Sequence, residues 1–339
     1  MHIPTKIIHV ELLIILVSFL NPLTSFSSSN PTGLTIVVTF PNLVDDVNLI
    51  KCDSDKVYSL LPPSVDPHDY SLKPADVELL RQADLIISTA HTHFELRITD
   101  LRNQDVIKAV VLEIPKVPGI KLLENPSTGL PNLHMPIYDP NNYLKFMKNL
   151  TSTLTSLNPA CAETYELNYE SVRKKITELL SKAEQLNMRG VGAKPIVQYA
   201  VSWLGINLTR FLIPEEDVSP TPNIVAEIED QVKKGYVDII VVTTEEDTYV
   251  NYLKNLGTQY GIPVLEVPTP FTEGSVLSKL ENIVNQTYRI RTPITTQVGS
   301  EERSNNILLL VLVGLFASLP IAWLIIRKIP LTRKVNPLI

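Results

Sequence analysis

The chain has 339 residues, with 36 Asp and Glu against 30 Lys and Arg and a net charge of −6. That mildly acidic balance argues against a nucleic-acid surface and is compatible with binding cations. With both ends set aside, about 260 residues remain for folding, room for two modest α/β domains, and no charge run, heptad array or short-period repeat interrupts them.

At the N-terminus, Lys6 precedes an apolar run from Leu12 to Leu20 and a small-residue tract at 24–29. This is the pattern of a secretory leader over residues 1–29; an uncleaved N-terminal anchor is the alternative and keeps the body on the same side. The next stretch alternates predicted strands (34–39, 57–61, 85–88, 110–112) with predicted helices (42–51, 74–83, 139–157). Such alternation predicts a parallel sheet, here a first lobe over 30–157. Prolines crowd residues 115–140, and an irregular connection of that length is uncommon unless functional.

Asn158 as a cap and Pro159 in the first turn open a long predicted helix, 158–190. Its Tyr165, Tyr169, Val172, Ile176, Leu179, Ala183 and Leu186 form one apolar stripe, and Gly190-Val191-Gly192 reads as its stop. The pattern then restarts over 191–288, with strands at 195–200, 238–242 and 263–267 and helices at 219–234, 247–260 and 272–287. The expected fold class is therefore α/β: two doubly wound lobes with parallel sheets, joined by one long rigid helix, with a cleft between them.

Residues 289–306 read as a polar tether, and the uncharged run 307–326 is long enough, at about 30 Å as a helix, to cross a bilayer. Arg327, Lys328, Arg333 and Lys334 follow it, so 327–339 is expected as a cytoplasmic tail with the body outside, a single-pass cell-membrane protein. Cys52 and Cys161 fit an exported protein, either as one disulfide or as two free thiols. Asn149, Asn207 and Asn285 begin permitted glycosylation sequons.

Of six histidines, two sit in the leader, and His68, His91, His93 and His134 fall in one region of the body, at or near predicted strand ends. Histidine is the commonest metal ligand. His68 stands between Asp66 and Asp69 in a proline-stiffened loop, where either carboxylate can hold the second ring nitrogen as metal-bound His usually requires. His91 and His93, two apart in extended chain, face the same side and follow a strand whose carboxyl end is where such sheets bind ligands. In the second half, Glu245, Glu246 and Asp247 follow a strand; Glu245 is the candidate carboxylate donor, and an acidic cap on the next helix is the other reading. A nitrogen-rich site with at most one carboxylate suits Zn²⁺ first and Mn²⁺, which prefers more oxygen, second.

The stretch Leu60-Leu61-Pro62-Pro63-Ser64-Val65-Asp66-Pro67-His68-Asp69-Tyr70, the following Leu72-Lys73-Pro74-Ala75-Asp76-Val77 and Ala83-Asp84-Leu85-Ile86-Ile87, and the later Asn132-Leu133-His134-Met135-Pro136-Ile137-Tyr138-Asp139-Pro140 resemble the zinc/manganese-type solute-binding proteins of metal ABC importers, over about residues 34–287. The resemblance implies a divalent cation held between two lobes as transported ligand, no catalysis, a monomer, and delivery to an importer's permease and its ATPase. It places His68 and His134 on the family's first and second metal histidines. The family's third ligand position falls on Ala200, which cannot coordinate, and the fourth near Val267, with Glu266 beside it. His91 or His93 would then complete a site built mostly from one lobe. Two other readings stay open: the same fold with the metal site lost, serving another ligand or surface adhesion, and an extracellular zinc hydrolase with Glu245 or Asp69 as base, although no HExxH occurs. By analogy, a C-terminal membrane helix suggests an archaeal surface protein.

Overall fold

The computed structural model describes residues 32–63, 65–215 and 218–291. The first half opens with β1 (Thr35–Val38), α1 (Asn42–Asn48), β2 (Lys56–Ser59), α2 (Pro74–Gln82), β3 (Leu85–Ser88), α3 (His93–Asn103) and β4 (Val110–Glu113). The four strands form one parallel sheet in the order β2-β1-β3-β4. β3 is buried along its whole length, as a strand covered on both faces must be. The chain leaves β1 toward one edge and returns past it to β3, so a crevice opens between the carboxyl ends of β1 and β3.

A long connection with 3-10 turns at Ile114–Lys116 and Pro136–Tyr138 leads to α4 (Pro140–Leu157). Asp139 caps α4, accepting from the backbone N–H groups of Asn141 and Asn142. A 3-10 turn (Pro159–Cys161) enters α5 (Ala162–Lys182), whose Tyr165, Tyr169, Val172, Ile176 and Leu179 are buried as the stripe predicts. At 21 residues this helix is about 31 Å long, shorter than expected. It stops at Lys182 because the backbone turns extended at Ala183. Leu186 then donates its N–H to Leu204 O at 2.8 Å, so it lies in the connection that leads into β5 and not in the helix stripe.

The second half contains β5 (Met188–Gly192), α6 (Gln198–Ser202), β6 (Ile206–Phe211), α7 (Pro222–Lys233), β7 (Ile239–Thr243), α8 (Thr248–Tyr260), β8 (Val264–Val267) and α9 (Val276–Arg291). Its sheet is parallel in the order β6-β5-β7-β8, the arrangement of the first sheet again. The expected strand over 195–200 is instead a 3-10 turn (Pro195–Val197) and α6. Gly190 and Gly192 do not stop a helix; they lie inside β5, where a Cβ on Gly192 would stand 2.7 Å from the Phe211 ring. Their role is close approach between strand and neighbours.

Two sets of contacts join the halves beyond α5. The connection before α4 is stitched to the second half by Asn125 Nδ2 to Pro214 O at 2.9 Å, Gln198 Nε2 to Glu124 O at 2.8 Å and Tyr138 Oη to Pro268 O at 2.9 Å. On the other side, fully buried Asp46 of α1 accepts from Tyr143 Oη at 2.7 Å and from the Val276 N–H at 2.9 Å, while Asp45 accepts from the Gly274 N–H. The start of α9 is thereby held to the first half. Cys52 and Cys161 are joined as a disulfide that ties the segment after α1 to the entry of α5.

The compact unit ends at Thr287, and residues 288–291 continue α9 into a second unit. The expected leader 1–29, the tether beyond 291, the span 307–326 and the tail 327–339 lie outside the described residues. Among the described residues no helix is long and apolar enough to cross a membrane. The transmembrane helix of the expected fold, and with it the single-pass placement and cytoplasmic C-terminus, therefore finds no support in the described residues.

Candidate metal centre

The loop after β2 carries His68. Its shape comes from Asp66, whose Oδ1 accepts the His68 N–H at 2.9 Å, a turn closed by an Asp side chain. Tyr70, itself buried, places its hydroxyl 3.2 Å from Leu60 O and 2.8 Å from the Asp76 carboxylate, pinning both ends of the loop.

The loop after β3 carries His91 and folds around one carboxylate. Glu95 is wholly buried and accepts from Ser88 Oγ, the Thr89 N–H and Oγ1, the His91 N–H, and the Thr92 N–H and Oγ1, at 2.6–3.1 Å. Six donors compensate the burial of a charge that would otherwise be prohibitive. Thr92 and Glu95 also form a capping box that starts α3. This corrects the extended geometry expected for His91 to His93: His91 is half-buried in the loop, whereas His93 is the first residue of α3 and exposed.

His134 comes from the long connection and is only 6% exposed. Its backbone N–H donates to Asn132 Oδ1 at 2.9 Å, which fixes that atom as the oxygen, and the same oxygen lies 2.9 Å from His134 Nδ1. Nδ1 therefore holds the ring proton, and Nε2 presents a lone pair. That lone pair points at His91, whose Nε2 is 2.9 Å away and donates to it.

The three rings converge. The His91 and His134 centroids are 4.1 Å apart, and those of His68 and His91 5.9 Å. A carboxylate from the second half joins them: Glu215 Oε2 stands 3.8 Å from His134 Nε2, with Oε1 held by Asn125 Nδ2 at 3.1 Å. Outward, His68, His91, His93, His134, Glu215 and Val218 line a cavity of about 300 Å³, with His93 at its rim. Inward, a void of about 20 Å³ behind the imidazoles is walled by Phe40, Met135, Ile196 and Phe271, room for a single water or bare ion.

Burial holds the His134 imidazole well below its ordinary value of 6.5, and repulsion from His91 and His68 adds to this. Burial also raises the Glu215 carboxyl above 4.5, against the lowering by its Asn125 bond and by His68. His134 is thus kept neutral, the form that ligates. Among the described residues no three such side chains already stand at coordination geometry. The His91 and His134 Nε2 atoms, 2.9 Å apart, are close to the separation of about 3.3 Å that two nitrogens bound tetrahedrally to one zinc would have.

The remaining expected second-half positions lie elsewhere. Ala200 is fully buried in α6, and Val267 is 1% exposed. Glu266 pairs with Lys254 at 2.9 Å. Glu245 lines a neighbouring cavity with Asp66, Thr269 and Phe271, where Lys194 Nζ lies 3.5 Å from it and 3.3 Å from Asp247. Glu215 escaped the sequence reading because β6 did; the alternation Ile206-Asn207-Leu208-Thr209-Arg210-Phe211, buried at Ile206, Leu208 and Phe211, was the available signal.

Comparison with known proteins agrees with this architecture. The family described as ZnuA, zinc-uptake complex component A, periplasmic, matches residues 36–277. An iron-binding protein of Yersinia pestis, YfeA, is 29% identical over 162 residues, covering 46% of this chain and 50% of that protein. The manganese ABC transporter substrate-binding lipoprotein PsaA of Streptococcus pneumoniae is 27% identical over 165 residues, covering 47% and 53%. The chain thus spans about half the length of these relatives. The solute-binding protein FpvC of Pseudomonas aeruginosa, solved in complex with Mn²⁺, shares the fold with a TM-score of 0.63 at 19% identity, covering 78% of this chain and 99% of that one. An archaeal surface anchor finds no support among them.

Proposed function

This chain is a member of the zinc-uptake complex component A family, and from that premise we propose that it captures a divalent metal cation and hands it to the permease of an ABC importer. The observation that supports the reading is the convergence of His68, His91 and His134 with Glu215 at the mouth between the two halves. His134 offers Nε2, His91 exchanges its imidazole hydrogen bond for a metal bond, and Glu215 closes from the second half. Three imidazoles and one carboxylate form a tetrahedral set suited to Zn²⁺; Mn²⁺ is the second candidate. The cation is cargo, and the reading requires no catalytic step. His93, exposed at the rim, assists entry without ligating, and Glu245 is engaged by Lys194.

Competition titration of the whole protein with Zn²⁺ and Mn²⁺, compared with the His68→Ala/His134→Ala double variant, tests this. Loss of two of four donors should weaken zinc binding by at least about a hundredfold, given that changes merely beside a ligand cost 10–100-fold. Unchanged affinity in the double variant would reject the reading and favour a receptor for another ligand on the same fold.

A further inference from the structure

We propose that Asn132 is a positioning residue through which the second half of the molecule sets the tautomer of His134, so that docking of the two halves and cation affinity are coupled. The inference rests on the reading of His134 as a ligand and adds a device to it.

The side chain of Asn132 is 1% exposed, and both ends of its amide are fully used. Oδ1 faces the His134 N–H and Nδ1 at 2.9 Å each. Nδ2 donates one hydrogen to Pro195 O and the other to Gln198 Oε1, both at 2.8 Å. Those two acceptors lie in the 3-10 turn and α6 of the second half. An amide turned end for end would face two carbonyl oxygens with its own oxygen and a backbone N–H with its NH₂. The second half, through Nδ2, therefore reinforces the orientation that the His134 N–H sets at Oδ1, and the atom held against the ring dictates which ring nitrogen holds the proton. Tyr199 adds a contact that reaches only the backbone: its hydroxyl donates to Asn132 O at 2.6 Å and accepts from the Leu123 N–H at 2.8 Å.

Separation of the halves would remove both bonds to Nδ2 and leave the amide held only by the His134 N–H, so that His134 can shift its proton toward Nε2, the nitrogen that faces the cleft, where it blocks coordination. Reciprocity follows: a cation bound to Nε2 holds Nδ1 protonated and strengthens the docked arrangement. The second half thus contributes to the site twice, once by the Glu215 carboxylate and once by remote control of a first-half imidazole.

The test compares three variants with the wild-type protein by ¹⁵N NMR of the histidine rings without metal and by zinc titration. In the wild type His134 should show the Nδ1–H form. Asn132→Ala should move it toward Nε2–H and weaken zinc binding about 10–100-fold, the usual effect of losing a partner behind a metal-bound His. Gln198→Ala, which does not touch the ring, should shift both readouts in the same direction by less, and it decides the matter if Asn132→Ala fails to fold. Tyr199→Phe removes a contact between the halves but leaves the amide alone, so ring signals should stay put. Unchanged tautomer in Asn132→Ala or Gln198→Ala overturns the proposal, as does a Tyr199→Phe effect equal to that of Gln198→Ala. Absence of zinc and manganese binding in the wild type would instead sink the proposed function, while the metal-free ring signals still decide this inference.

Discussion

The two sheets share one strand order, so each opens its crevice between corresponding strands, β1 and β3 in the first and β5 and β7 in the second. The first crevice receives His91, with His68 arriving from the loop after β2. At the corresponding places in the second, β7 is followed by Glu245 and β6 by Glu215. The carboxylates of Glu245 and Asp247 are engaged by Lys194, a half-buried ammonium from the loop after β5. One crevice is thus left with imidazole nitrogens facing the cleft, and the carboxylates of the other are paired with its own lysine. Equivalent topology places groups at equivalent points, but the chemistry at those points differs, and on the proposed reading it is the first crevice that takes the cation.

The first crevice depends on the buried carboxylate of Glu95. Glu95→Ala would leave its donors unsatisfied and should lower stability by about 3–5 kcal/mol, read as a shifted urea midpoint. A midpoint unchanged from wild type would show that the loop around His91 is held by something else.

The seam between the halves is sensitive to pH through Asp46. Burial raises its carboxyl to about 7 from 3.8, opposed by the Tyr143 and Val276 bonds and by Lys279, itself lowered to about 8 by burial. A raised acid keeps its proton in the folded state while the unfolded chain releases it. Stability should therefore fall as pH rises from about 4 to 7, by up to about 4 kcal/mol from this group, and level off above. The depressed His134 works oppositely, losing stability as pH falls below 6.5. Asp46→Asn should remove the first slope and leave the second; denaturation at several pH values separates them.

The disulfide anchors the first half to α5 across a separation of 109 residues. Cys52→Ser with Cys161→Ser should cost about 2–4 kcal/mol, seen as a lower Tm, with zinc affinity little changed because neither sulfur lies near the imidazoles.

The finest comparison sets the two second-half glutamates against each other. Glu215→Gln removes one charged donor and should weaken zinc binding about tenfold, whereas Glu245→Gln should leave it within about twofold. Titration showing the reverse order would move the site to the neighbouring cavity.

The sequence reading reached the two-lobe architecture and the histidines because those signals are local. Continuous apolar runs bounded by turns mark doubly covered strands, and the proline-stiffened loops around His68 and His134 stand out from their neighbours. It failed where a local pattern had two solutions. Gly190-Val191-Gly192 can stop a helix or let strands meet closely, and only Phe211 and Ile239 packed against those glycines choose between them. The strand misplaced by that choice hid β6 and with it Glu215, while the resemblance placed the family's third ligand position on Ala200, which lies buried in α6. The spacing of Thr92 and Glu95 is itself the signature of a capping box, yet the burial of Glu95 under six donors depends on how the loop after β3 folds back.

Residue chemistry and periodicity alone settled that strands and helices alternate in two rounds and that imidazoles cluster in the first. Which carboxylate joins them, whether the cysteines pair, and which nitrogen of His134 faces the cleft were decided by contacts between residues far apart in the chain. Those depend on distances of a few ångströms, which a linear order of side chains does not encode.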